Sequence, residues 1–556
     1  MTVSVGHYNY EEKDRAFLEE RIVEFEGQVK RRLEGSLTED EFKPLRLMNG
    51  IYLQLHAYMF RVAIPYGILD SRQLHKLADI SENFDRGYGH FTTRQNIQFN
   101  WIALEDAPTI LRELASVDMH AIQTSGNCIR NVTSDEYAGA ADDELMDPRV
   151  HAEILRQWST LHPEFSFLPR KFKIAISGSP EDRVAARFHD IGILARPSEK
   201  GPLFRIFVGG GLGRIPVVGQ EIFDSVPEME LLATLEAILR VYNAYGRRDS
   251  LYKSRIKILV QTIGIDAYRK EVEEELSQMD LGRYRLSAEK VAAIRARFAS
   301  PDFVDVPDGD AVLQDHKATN PAFAQWVDTN THKHRQEGYI IATVSLKAPG
   351  EIPGDVTAAQ MHGLAALAER HSFGEIRITH LQNVVLGHVR KDELFTVWEG
   401  LKALGLATPN LGLVGDMVCC PGLDYCSLAN ARSLPIARKI GARFGDTALQ
   451  AEIGALNINI SGCINACGHH HAGNIGLLGV DKHGDEFFQI LLGGKFGENA
   501  RIGTILGPAL AEDETVDAVA RIIECYLSKR QDGETFLETL QRIGREPFKE
   551  VAYATA

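Results

Sequence analysis

Along residues 72–84, RQLHKLADISENF, the apolar positions Leu74, Leu77 and Ala78 return three and four residues apart, as on an amphipathic helix. The run HFTTRQNIQFNWI at 90–102 instead alternates as a strand does. Segments of the two kinds succeed one another along the chain. Around residues 45–115 they have the form of a split βαβ unit, and a second region of mixed strands and helices follows.

The same order then occurs again. FRVAIP ending at Pro65 answers TVSLKAP ending at Pro349, and KIAISG ending at Gly178 answers NINISG ending at Gly462. Ile191-Gly192 answers Ile475-Gly476, and Val208 to Gly210 answers Leu492 to Gly494, all at one separation of 284 residues. TTRQN at Thr92 to Asn96 against THLQN at Thr379 to Asn383 is displaced by a further three residues, as a loop insertion would do. The expected fold class is therefore α+β, with two pseudo-symmetric halves that each carry a split βαβ subdomain and an αβ subdomain. The divisions fall at 1–44 for an N-terminal extension, 45–115 and 116–299 for the first half, a polar linker at 300–336, then 337–405 and 406–556 for the second half. Duplicated halves that bury a shared face leave a junction where a ligand can sit.

Composition changes this picture little. At 556 residues, with 44% hydrophobic and 25% charged residues, the chain has enough material for several cores. Its formal net charge of −15 speaks against a general nucleic-acid binder. With no basic start followed by an apolar run, and no apolar stretch of about 18 residues, the expectation is a cytoplasmic protein that does not enter a membrane.

The seven cysteines change it more. VCCPGLDYCSLA gives Cys420-x5-Cys426 and ISGCINACGHHH gives Cys463-x3-Cys467. In a chain lacking an export signal such crowding points to metal rather than disulfides. Four thiolates satisfy an iron–sulfur cubane, and the spacings are not the paired C-x2-C of zinc ribbons. Pro421, Gly422, Gly462 and Gly468 suit loops that bend tightly around an inorganic body. Buried structural cysteines, or a zinc ion on Cys463, Cys467 and one of His469 to His471, are the alternative readings. Cys128 and Cys525 read as core residues, and Cys419 as a neighbour of the ligand set.

The two halves also differ in charge. Arg61 stands where the second half has Ser345, Arg94 where it has Leu381, and Lys171 and Lys173 where it has Ala455 and Asn457. Cys463, in turn, stands where the first half has Ser179. One half has the side chains to hold an anion, the other those to hold metal.

C-x5-C followed by C-x3-C, preceded by TTRQNIQF, GNCIRNV and LPRKFK, resembles the siroheme-dependent sulfite and nitrite reductases from about Leu45 to Phe548. The resemblance implies the family's internally duplicated architecture with ferredoxin-like subdomains, and two cofactors, siroheme and a 4Fe-4S cluster. It makes Cys420, Cys426, Cys463 and Cys467 the cluster ligands, with Cys467 also bridging to the siroheme iron. It puts Arg61, Arg130, Lys171 and Lys173 around the bound oxyanion as catalytic residues. Arg94, Gln98, Arg255 and Lys257 fall where the family grips the macrocycle's carboxylates, and Asn465 beside the cluster. His90 and Asn100 depart from the Arg and His that sulfite reductases often carry there, which leaves the cofactor contacts at those two positions open.

The implied reaction is the six-electron reduction of sulfite to sulfide in sulfur assimilation, with nitrite to ammonia as the alternative. Lys173 favours sulfite, since nitrite reductases of the family tend to carry asparagine there. The sequence has no dinucleotide or Walker A fingerprint, as Gly209-Gly210-Gly211-Leu212-Gly213-Arg214 breaks the former. Electrons are therefore expected from a ferredoxin or a flavoprotein reductase subunit. An iron–sulfur carrier or sensor without heme is the rival reading, and it would not need the first-half cations.

Overall fold

The computed structural model describes residues 10–199 and 201–554. Four five-stranded sheets organise them. The first sheet runs Ile51–Leu53, Tyr58–Val62, Ile97–Ile102, Tyr88–Phe91, and closes with Asp355–Thr357 from the second half. The second runs Thr331–Lys333, Tyr339–Val344, Val384–Arg390, Glu375–Ile378, and closes with Ile68–Asp70 from the first half. Each half thus lends a three-residue strand to the other's sheet, His90 pairing with Asp355 and Leu69 with Ile376. The loan leaves neither strand, Tyr88–Phe91 nor Glu375–Ile378, as an open edge.

The helix expected at 72–84 is present as Ser71–Phe84, and its counterpart is Ala358–His371. Both begin with the same reciprocal cap, Asp70 with Gln73 and Thr357 with Gln360, which satisfies backbone donors at the first turn. The two helices pack against each other. Beneath them the apolar faces of both sheets merge into one core that includes Phe60, Phe91, Phe99, Ile376, Ile378 and Leu386. The shared face expected of a duplicated chain is this core.

The structure differs from the sequence reading at two places. Residues 90–102 form a hairpin, not one strand: Phe91 pairs with Ile97 and His90 with Gln98 across a turn in which Gln95 takes a left-handed φ of 55°. Thr92 and Asn96 close the turn through backbone bonds, and their polarity happens to continue the alternation on either side. The stretch 300–336, read as a polar linker, carries the helices Gly309–Thr319 and Pro321–Asn330 and the strand Thr331–Lys333. Asn320 caps the second helix, Pro321 opens it, and Phe323, Trp326 and Val327 enter the shared core.

The two αβ regions have matching sheets. In the first half Thr133–Ser134, Ile174–Ser177 and Ile191–Arg196 are parallel neighbours, followed by antiparallel Leu203–Val208 and Gln220–Pro227. In the second half Val418–Cys419, Ile458–Ser461 and Ile475–Lys482 are parallel, followed by antiparallel Asp485–Leu492 and Thr504–Ile505. Each sheet has a core of its own. No helix of the described residues is long and apolar enough to cross a membrane.

Trp326 is fully buried in the shared core. Trp326→Ala is expected to cost about 3–5 kcal/mol, the usual penalty for emptying a large aromatic site. A lowered urea midpoint checks this, and an unchanged one would mean that the 321–330 helix adds nothing to the core.

Candidate active site

Cys420 and Cys463 both follow the carboxyl ends of neighbouring parallel strands, Val418–Cys419 and Ile458–Ser461. Such ends are where open αβ sheets receive ligands. The two cysteine loops press together through glycine. A Cβ on Gly462 would lie 2.6 Å from the Gly422 Cα and 2.5 Å from the Ala431 carbonyl oxygen, and one on Gly468 would lie 1.8 Å from that of Ile460. No side chain fits at these crossings. Further bonds fix the loops: the Gly462 amide donates to Cys420 Sγ at 3.3 Å, and the Cys426 amide to the Gly422 carbonyl at 2.8 Å.

The four thiols form one electrostatic neighbourhood. Burial pushes Cys420 up to about 12 and Cys463 up to about 11 and also raises Cys426, and in each case Cys467 adds to the rise. Thiols raised in this way stay protonated until a metal replaces the proton. Among the described residues, no three cysteine sulfurs lie within 4.8 Å of one another. A single zinc ion at about 2.3 Å from each sulfur would need them closer. Cys419 turns away, fully buried in the core, with its thiol donating to the Ser433 carbonyl at 3.4 Å. Cys525 is buried and Cys128 half-buried. Cys467 is the exposed thiol of the four ligand candidates, and Asn465 beside it is exposed too.

Hydrogen bonds hold these loops against the first half, among them one between Tyr88 and Tyr425, whose hydroxyls meet at 3.0 Å. Thr93 Oγ1 donates to the Cys467 carbonyl at 2.9 Å, His471 Nε2 lies 3.1 Å from the Gly213 carbonyl, and the Leu55 amide donates to the Tyr425 carbonyl at 3.2 Å. His469, His470 and His471 are buried beneath the loop, and burial lowers the pKa of all three.

The first-half cations gather on the Cys467 side. Lys171 and Lys173 flank Phe172, whose ring is in the core and whose backbone bridges to Ile129, so both ammonium groups leave from the opposite face. Neither ammonium has a hydrogen-bond partner among the described residues. Burial lowers the pKa of Lys171, the Cys467 thiolate opposes this, and Arg130 reinforces it. Burial holds Lys173 well below its ordinary value, with Lys171, Arg94 and Arg255 adding repulsion. Arg61 donates to Gln98 Oε1 at 3.1 Å and to the Thr124 carbonyl at 3.3 Å, and Arg130 donates to the Thr124 and Gly126 carbonyls at 2.7–3.0 Å.

Tyr52, which nothing in the sequence pattern singles out, marks where these groups converge. Burial alone would raise its phenol, yet Arg130, Arg61 and Lys171 outweigh that and hold it below the ordinary value. The Arg61 guanidinium lies over its ring, 5.2 Å from the centroid.

Further along the same wall the cations have protein partners. Arg94 donates to the Asn131 carbonyl at 2.5 Å and to Thr133 Oγ1 at 3.0 Å, and meets His189 Nε2 at 2.5 Å. Arg255 forms a two-pronged pair with the buried carboxylate of Asp190, at 2.9 Å for each bond. Lys257 gives its ammonium to the Gly211, Leu212 and Ile215 carbonyls at 2.5–3.2 Å, so it braces the glycine loop that His471 reaches. His90 pairs with Asp355 at 2.7 Å across the lent strand, and Asn100 accepts from Gln98 at 3.4 Å. The arrangement joins four loop-held thiols, one of them exposed, to a wall of cations with two unpartnered ammonium groups. It can carry an electron-transferring cluster and hold a small oxyanion next to it.

The comparisons with known proteins agree with this chemistry. The model of the nitrite and sulphite reductase 4Fe-4S domain matches residues 125–279 and 413–555, and that of the nitrite/sulfite reductase ferredoxin-like half domain matches 53–117 and 332–404. The chain is 29% identical to Sulfite reductase [ferredoxin] 2 of Mycolicibacterium paratuberculosis over 93% of its length and 86% of the relative's. It is 28% identical to the ferredoxin–nitrite reductase of Synechococcus elongatus over 84% of its length and 85% of that protein's. The solved structure of the Mycobacterium tuberculosis NirA protein superposes with a TM-score of 0.77 at 26% identity, covering 94% of this chain and 95% of that one. With two twice-matched half domains, a four-thiol site and a facing wall of cations, this chain belongs to the family of nitrite and sulfite reductases, whose cofactors are siroheme and a 4Fe-4S cluster.

Proposed function

We propose that the chain reduces sulfite to sulfide by six electrons in sulfur assimilation, with Cys420, Cys426, Cys463 and Cys467 as the residues that would hold the cluster and Cys467 the one that would also serve siroheme. When bound, the coupled pair supplies single electrons to the substrate's sulfur, a task to which a two-electron hydride donor is poorly matched. Everything else falls to the chain. The observation that carries the reading is the pair of unpartnered ammonium groups, Lys171 and Lys173, in the field of the exposed Cys467.

Sulfite as a dianion needs charge to offset its burial, and Arg61, Arg130, Lys171 and Lys173 provide it through charge-assisted hydrogen bonds. The arginines are tethered by backbone carbonyls and orient the anion. The lysines, lowered by burial and by each other, give up protons more readily than arginine can, and they supply the protons that convert departing oxygen to water. Thr93 holds the Cys467 backbone in register with this wall. Arg94 and Gln98 would hold the macrocycle's carboxylates, Arg255 pairs with Asp190 and Lys257 braces the loop at Gly211, and Asn465 would steady the Cys463 side of the cluster.

The charge balance favours sulfite. Nitrite carries one negative charge fewer, and reduction of nitrite to ammonia at the same centre is a side activity. The donor is a ferredoxin-type protein, in line with the names of the sulfite and nitrite reductases above, and the enzyme works in the cytoplasm.

The primary test is the visible spectrum of the purified protein with iron, sulfide and siroheme analysis, followed by turnover of sulfite and nitrite with reduced methyl viologen. Four irons of cluster, one siroheme and a higher kcat/KM for sulfite are expected, and a colourless or heme-free protein would overturn the reading. Lys173→Asn is expected to keep the spectrum while moving the sulfite-to-nitrite ratio of kcat/KM toward nitrite by about tenfold or more, one lost charge contact at roughly 1.4 kcal/mol or above. An unchanged ratio would remove the case for sulfite.

The lowered lysines also set a pH dependence. Their ammonium form is the active one, so as pH rises through the depressed pKa the charge is lost and kcat/KM for sulfite falls. Lys171→Arg keeps its charge to higher pH, so its alkaline limb should shift upward while its maximal rate drops. The substrate's own titration is common to both proteins, and superimposable limbs would exclude Lys171 as the titrating group.

A further inference from the structure

A second cluster of ligand-type side chains sits away from the active site, between the two helices related by the repeat. His75 and His362 occupy equivalent positions of Ser71–Phe84 and Ala358–His371, separated by 287 residues, and their Nδ1 atoms meet at 2.7 Å. One Nδ1 must donate to the other. With the Nδ1 of His362 engaged in this way, its Nε2 is left facing Asp79, 3.7 Å from Oδ1. Glu82 completes the group: one ligand atom from each of Asp79, Glu82 and His362 lies within 4.8 Å of the other two.

We propose that Asp79, Glu82 and His362 bind a divalent transition-metal ion of the zinc class, which pins the two repeat helices together. Asp79 and Glu82 are three apart on one helix and so share a face. His362 approaches from the other helix. Imidazole with two carboxylates is a donor set for this class of ion. The second imidazole completes the design, because a ligating histidine commonly gives its other ring N–H to a partner that fixes its tautomer and orientation. His75 is that partner, a positioning residue rather than a ligand. Among the described residues no lysine or arginine pairs with Asp79 or Glu82, so no cation of the protein competes for the carboxylates. The second cluster of this type, Asp142, Asp143 and His332, differs on this point, since Lys333 and Arg183 already take its carboxylates.

The repeat makes the site one-sided. Glu369 is the counterpart of Glu82 and stands 3.9 Å from His75 Nε2, but Ala366 stands where Asp79 has its carboxylate. Three ligand atoms gather on the His362 side and only two on the His75 side. One ion per chain is the consequence.

The test uses the cofactor-loaded enzyme, stripped of loose metal on a chelating resin and then dialysed against graded zinc chloride, with bound zinc measured by mass spectrometry. One zinc per chain is expected. His362→Ala and Asp79→Asn should each weaken uptake at least about tenfold, and His75→Ala should weaken it less, in the range seen for partners of ligating histidines. Zinc should raise the unfolding temperature of the parent and of His75→Ala, but not that of His362→Ala, while sulfite turnover stays unchanged in all of them. The inference fails if no zinc is taken up, or if His362→Ala and Asp79→Asn both bind it as the parent does. Because Asp79→Asn alters a half-exposed helix surface, it keeps the test decisive should His362→Ala fold poorly.

Discussion

Two glutamine side chains hold the geometry on which the rest depends. Gln95 and Gln382 occupy the same place in the two repeats, each at the tip of a tight turn with a left-handed φ of 55° and 63°. Gln95 donates to the Ser134 and Ile378 carbonyls and accepts from the Ser134 amide, so it joins its own αβ sheet to a strand of the other half. Gln382 does the mirror of this, donating to the Cys419 and Phe91 carbonyls and accepting from the Cys419 amide. A left-handed non-glycine residue costs on the order of 1–2 kcal/mol, and three buried hydrogen bonds at each turn offset it. The pair fixes Phe91 against Cys419 and Ile378 against Ser134. Thr93 and Cys420, one or two residues beyond, inherit that registration.

From this follows the division of labour between the halves. The second half offers backbone loops too tight for side chains at Gly462 and Gly468, and these loops carry its four clustered cysteines. The first half offers a wall whose guanidinium groups are mostly engaged by carbonyls and carboxylates, with two ammonium groups left over. On the proposed function, the tied cations orient the anion and the free ones bind it and deliver protons. The Arg61 guanidinium lies over the Tyr52 ring, a face that suits a planar cation.

How much of this the sequence reveals depends on how local the signal is. The helix at 72–84, the duplication and the cysteine loops were legible because each is written in spacings of a few residues or in a whole-chain repeat. Lys171 and Lys173 were legible as a pair because Phe172 separates them on an extended segment. The hairpin at 90–102 was not, since Thr92, Arg94 and Asn96 keep the polar alternation going through the turn. The helical character of 309–330 was hidden by flanking Asp and Pro residues, although Phe323, Trp326 and Val327 carry its apolar stripe. The lent strands Ile68–Asp70 and Asp355–Thr357 are three residues long, too short for any periodicity, and Tyr52 and Thr93 act through contacts distant in sequence. TTRQN and THLQN stand out in the sequence only as a match, yet that match marks the two clasping glutamines.

The strand loan has a consequence for how the chain comes off the ribosome. Tyr88–Phe91 waits for a neighbour, Asp355–Thr357, that is synthesised about 265 residues later, which at roughly 5–20 residues per second is on the order of tens of seconds. During that interval a hydrophobic sheet edge from the nascent first half stands open to any other extended polypeptide. That edge therefore has to be shielded while translation continues.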